Sequence, residues 1–128
     1  MNSYILIAGV FALATVLGHF TVGHKQYLKP MLQASFDPIS KKVMHCVFHY
    51  VSTFLILSAA ALLIIGSGLW SGSVSAAVAI FIALNFTIFG IWQVVLAAKS
   101  GIPGGIFKLF QWIFFILIAV FSFLGARL

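Results

Sequence analysis

The stretch His19–Ser52, HFTVGHKQYLKPMLQASFDPISKKVMHCVFHYVS, holds all four histidines, the only acidic residue, the only cysteine and four of the seven Lys and Arg of this 128-residue chain. On either side of it the sequence is almost wholly apolar. How the stretch divides decides the fold. Asp37-Pro38 reads as a helix start, because an aspartate caps free backbone amides well and proline is favoured at the first helical position, where its missing N–H costs nothing. Everything before it, back to Gly23, reads as a connection that follows a first apolar helix. Tyr27, Leu28, Met31, Leu32 and Phe36 alternate there with Lys25, Lys29 and Gln33, a pattern for lying along a membrane surface, and Pro30 limits any helix.

Composition supports the same division. Hydrophobic residues make up 63% of the chain and charged residues 6%, against about 45–50% and about 25% in soluble domains. Such a chain cannot cover itself with polar groups in water. In lipid, each spanning helix needs about 20 mostly apolar residues, and four such windows fill the length with little left over. The expected fold is all-α: a single four-transmembrane-helix bundle, with helices at about 3–22, 38–65, 74–98 and 106–125. The first is expected to be retained rather than cleaved as a signal peptide, since no Lys or Arg occurs before Lys25. Gly66-Ser-Gly68-Leu-Trp70-Ser-Gly72 reads as one tight turn and Lys99-Ser-Gly-Ile-Pro103-Gly-Gly105 as another.

The net charge of +6 would suggest nucleic acid in a soluble protein. Here the basic residues fall between apolar windows, so they set orientation in a membrane and imply no nucleic-acid partner. Lys25, Lys29, Lys41, Lys42, Lys99 and Lys108 lie on one side, six of the seven basic residues, with only Arg127 opposite. Retention of Lys and Arg on the cytoplasmic side then puts both termini outside, in a bacterial-type inner membrane. Trp92 and Trp112 fall near the inner interface and Trp70 near the outer one. Cys46 is alone and reads as a small buried hydrophobe.

The same topology collects the polar side chains in the cytoplasmic third. His19 is expected about a turn inside the end of helix 1, His45 and His49 in the first turns of helix 2, Gln93 late in helix 3 and Gln111 early in helix 4. His45, His49 and Ser52 share a face at i, i+4 and i+7, as Asn85 and Gln93 do at i and i+8. Ala8, Ala12, Thr15 and His19 form a stripe suited to close helix packing.

Four chemistries draw on these residues. Two histidines at i and i+4 can bind one divalent metal ion, with His19 as a third ligand and His24 or Asp37 as a fourth. Alternatively His19 could face His45 or His49 across a haem, although the depth is shallow and no second pair exists for electron relay. A proton relay through His19 or His49 uses groups that are costly in a membrane and titrate near neutrality, yet the outer half offers only Thr15, Ser58 and Thr87. Intramembrane hydrolysis would need Ser52, Asp37 and the histidines in one place, and Asp37 already has a use as a cap. Small multidrug-type transporters, which match in size, depend on a glutamate in the first helix; this chain has none. The structural alternative is that the histidines and glutamines only tie helices together, as in a non-catalytic accessory subunit of a homo-oligomer or larger membrane complex.

The pattern His19-x-x-x-Gly23-His24, a short basic connection, then Phe48-His49-x-x-Ser52 opening a long apolar helix resembles a group of small four-helix bacterial membrane proteins known from genomes and without an assigned activity. That group often has Gly-Glu in place of Gly23-His24 and Trp-His in place of Phe48-His49. The likeness covers the first half of the chain and implies the helix count and the prominence of His19 and His49, but no activity. The expectation is thus a small membrane protein whose histidine-rich cluster holds a metal ion or a proton in a binding or transport role.

Overall fold

In the computed structural model, which describes residues 1–127, there are helices and no strand among the described residues. The first helix, α1 (Ser3–Gly18), starts at Asn2, whose side-chain oxygen accepts the Ile5 amide at 3.2 Å. It does not end near Val22. It passes into a π-helix over His19–Leu28 and returns to α over Lys29–Gln33 (α2), an unbroken helix of 31 residues. The expected connection therefore shrinks to residues 34–37. Pro30 is the reason that reading fails: in an α-helix interior its ring would meet the carbonyl four residues back and its nitrogen could not donate. In the π segment the bonds reach five residues back, as from the Lys29 amide to the His24 carbonyl. The wider winding accommodates the proline.

The helix α3 (Pro38–Ser67) begins where the sequence places it. Asp37 accepts the Ser40 amide at 2.7 Å, and the helix ends at Gly68, whose φ of 89° suits glycine. α4 spans Ser73–Lys99. The fourth expected helix, 106–125, is instead a single turn, α5 (Gly105–Lys108), followed by a break and then α6 (Trp112–Ala126) of 15 residues. Side chains take the carbonyls that a continuous helix would use. The Trp112 indole donates to the Ile106 carbonyl at 2.9 Å, and the Tyr27 hydroxyl donates to the Lys108 carbonyl at 3.3 Å.

Four helical rods run alternately up and down, with consecutive rods adjacent. α1 packs broadly on α3 and α6, and α4 on α6, whereas α3 and α4 touch only lightly. Glycines set the closest approach. A Cβ on Gly66 would stand 2.5 Å from the Leu6 nitrogen, so α3 lies against the backbone of α1. Asn2 ties the same end together by donating to the Gly125 carbonyl at 2.8 Å. The core seam of Ile5, Ala8, Ala12, Ala59, Leu62 and Ile118 runs up from that end. Further along, Phe54, Phe86, Phe89 and Phe115 interlock at centroid distances of 5.4–6.1 Å and close the thin α3–α4 seam.

Three of the helices are long and apolar enough to cross a membrane: Ser3–Gln33, Pro38–Ser67 and Ser73–Lys99; Trp112–Ala126 is a shorter apolar helix. Their outward faces carry Leu17, Leu57, Ile91 and Leu96, all exposed, a surface suited to lipid. By topology the six lysines gather where α2, α4 and α5 end and α3 begins, hereafter the basic end, while Arg127 lies at the other.

Candidate functional site

At the basic end the rods separate, and α1 with its π continuation, α3 and α6 enclose a cleft of about 420 Å³. One edge is a stripe at four-residue spacing, Thr15, His19, Gly23 and Tyr27. In an α-helix such a stripe drifts round the axis by about 40° per step. The π turn, with more than four residues per turn, drifts the other way, so the change of winding at His19 keeps all four on one side. Phe48 and Leu55 of α3 and Gln111, Phe114 and Phe115 of α6 form the opposing walls.

His19 is the fixed polar group. Its ring stacks on Phe48 at 4.0 Å with 19° between planes, and its Nε2 is 2.8 Å from the Ser52 hydroxyl. That hydroxyl also lies 2.9 Å from the Phe48 carbonyl. Both contacts are made at once when the hydroxyl proton goes to the Phe48 carbonyl and Ser52 accepts from the His19 Nε2–H, the tautomer that satisfies every group in the chain of bonds. In the neutral ring the lone pair then sits on Nδ1, which has no hydrogen-bond partner among the described residues. A Cβ on Gly23 would be 3.7 Å from Nδ1, and Gly23 has none, which leaves space beside the nitrogen.

On the far wall, the Gln93 amide donates to the Gln111 side-chain carbonyl at 2.6 Å, tying α4 to α6. Gln111 also lines the cleft. The Gln93 oxygen is buried without a partner among the described residues. The cleft is therefore an apolar volume with the His19 ring on one wall and the Gln111 side chain on the other.

The remaining expected site residues stand elsewhere. His49 is exposed and His45 half-buried; their Nε2 atoms are 3.2 Å apart, one ring donating to the other. They do not meet His19, because α3 faces α1 through Phe48 and Ser52, and His49 lies about 100° round the helix from Phe48. A shared face at i, i+4 and i+7 is wider than the strip one helix presents to another. His24 is exposed on the π segment, and Asp37 is occupied as the cap of α3, with its carboxyl held below the usual range by the Ser40 amide and hydroxyl. Asn85 donates to the Phe81 carbonyl of its own helix at 2.8 Å and does not join Gln93. Among the described residues no three of His, Cys, Asp and Glu come together as metal ligands. The expected set of His19, His45 and His49 with His24 or Asp37 is thus not assembled within one chain.

Sequence reasoning gave Tyr27, Leu55, Phe114 and Phe115 no place in a site, and it met Phe48 only within the family-like pattern. Tyr27 was hidden by assigning its segment to a connection; the four-residue spacing from Thr15 was the available signal. No protein-family model matches the chain, and neither a curated protein nor a solved structure matches it.

Proposed function

We propose that this is an integral membrane binding protein that takes a lipid-soluble molecule into the cleft, apolar body inward, with a hydroxyl or carboxyl head between His19 and Gln111. The observation that carries the reading is the His19 ring, fixed through Nε2 by Ser52 and leaving Nδ1 beside Gly23 in an apolar cleft of about 420 Å³. Small-molecule sites are typically about 300–1,000 Å³, mostly apolar, with a few placed polar groups. A hydroxyl-bearing head matches both groups: it donates to Nδ1 and accepts from the Gln111 amide. A bare metal ion would find only one ligating nitrogen here, and a haem would find no second imidazole. The basic end is the cytoplasmic side in this reading, following the retention of lysines there, so the ligand enters from the inner leaflet.

The test is photolabelling of the full chain in mild detergent with a diazirine-bearing long-chain fatty acid and its alcohol. Labelling concentrated on Phe48, Tyr27 and Phe114, and lost in His19→Ala, is the expected result. Labels spread over the lipid-facing residues, unchanged in His19→Ala, would overturn the reading.

A further inference from the structure

Outside the cleft, the His45–His49 pair has a geometry that serves as a bent hydrogen bond and also matches the bite of two imidazoles on one ion. The two Nε2 atoms are 3.2 Å apart, the ring centres 5.0 Å and the planes 43°. A linear N–H···N bond of that length would place the ring centres about 5.5 Å apart. Two imidazoles on one tetrahedral ion, each nitrogen about 2.0–2.1 Å from it, have nitrogens about 3.3 Å and ring centres about 5.2 Å apart. The observed spacing lies within a few tenths of an ångström of the second, so both nitrogens are at the separation that one tetrahedral ion requires. The pair is accessible, since His49 is exposed.

Two donors are half of a tetrahedral site, and the chain does not complete it. No third His, Cys, Asp or Glu among the described residues joins the pair. Cys46 follows His45 directly and so lies about 100° away round α3. The missing ligands must come from outside the chain, and a two-fold axis supplies them most simply, because the same patch then meets itself. With the axis along the membrane normal, which rests on the membrane reading above, every residue keeps its depth, and one pair meets the other.

We infer that His45 and His49 form half of a zinc-class divalent metal site that is completed by the same two residues of a second copy of this chain. The ion is also what makes such a pairing favourable. Lys41 and Lys42 stand about one turn towards water from His45, so two metal-free faces would repel. Lys41 is partly drawn aside, its ammonium 5.4 Å over the Phe36 ring. Four imidazoles on one ion supply the attraction that the lysines oppose.

The experiment is light scattering with elemental analysis on the full chain in non-ionic detergent, first stripped with EDTA and then titrated with zinc chloride. One zinc per two chains, a dimer with zinc and a monomer after EDTA, is the expected result. His45→Ala and His49→Ala should stay monomeric and lose the zinc while keeping parental helicity. His19→Ala should still dimerise, which separates this site from the cleft. One zinc per monomer, no zinc at all, or a dimer indifferent to both EDTA and His49→Ala would each overturn the inference.

Discussion

A Cβ built on Gly23 would lie 3.7 Å from His19 Nδ1 and 3.8 Å from the Phe48 ring. Both are ordinary van der Waals distances, so one methyl fits beside the histidine and a branched side chain does not. Gly23→Ala should fold and bind the fatty-acid probe within about threefold of the parent, helped by the lower helix cost of alanine. Gly23→Leu should fold with parental helicity and lose labelling, because its side chain occupies the space next to Nδ1. Equal labelling of Gly23→Leu and the parent would place the ligand elsewhere.

Ser52 is buried, and its loss should be felt through His19. In Ser52→Ala the Nε2–H loses its acceptor in a half-buried setting, a change of about 1–3 kcal/mol. The expected result is a lower unfolding midpoint in detergent together with loss of the fixed tautomer. Nitrogen-15 chemical shifts of the His19 ring read the latter: the parent should show a protonated Nε2 and an unprotonated Nδ1 when neutral, the variant a mixture. An unchanged tautomer in Ser52→Ala would mean that a group other than the Ser52 hydroxyl, such as the Phe48 carbonyl, fixes the ring proton.

Much of this arrangement was legible in the sequence, for reasons that differ from element to element. The apolar windows and the Asp37-Pro38 start are local signals, strong enough that α3 begins at its expected residue. Pro30 was misread because a proline rule written for α-helices does not anticipate a π turn, and the π segment His19–Leu28 packs against α3, a contact that the sequence does not announce. The break at 109–111 was invisible for a similar reason: it depends on Tyr27 and Trp112 reaching particular carbonyls. For the site, Gln93 and Gln111 were placed at one depth and do pair, since depth follows from residue count. The grouping of His19 with His45 and His49 failed because depth says nothing about rotation, and the α1–α3 contact turns Ser52 rather than His49 towards His19.

Two glycines make opposite predictions from the same substitution. A Cβ on Gly66 would meet the Leu6 backbone at 2.5–2.6 Å, where no rotamer change can relieve it. Gly66→Ala should therefore force α3 away from α1 and cost about 1–3 kcal/mol. Gly18 has nothing within 4 Å of its notional Cβ, so Gly18→Ala should gain about 0.5–1 kcal/mol from helix propensity. Thermal or denaturant unfolding in the same detergent measures both. A stable Gly66→Ala would show that the two helices are not held at backbone contact.

Asp37 gives the pH prediction. Its carboxyl accepts the Ser40 amide at 2.7 Å and is held below its ordinary value by that amide and the Ser40 hydroxyl. A carboxyl whose folded pKa lies below the unfolded one, about 3.9, contributes stability that is fully present above the unfolded value. That contribution is lost as the pH falls through the folded value. Protection of the Ser40 amide from hydrogen exchange, relative to an unstructured peptide, should therefore be flat from neutrality to about pH 5 and decline below about pH 4. Asparagine also caps but does not titrate, so Asp37→Asn should protect Ser40 equally at both ends of that range. An identical low-pH decline in Asp37→Asn would assign the effect to another group, whereas a flat profile in the variant alone identifies the Asp37 carboxylate as the group that fastens the start of α3.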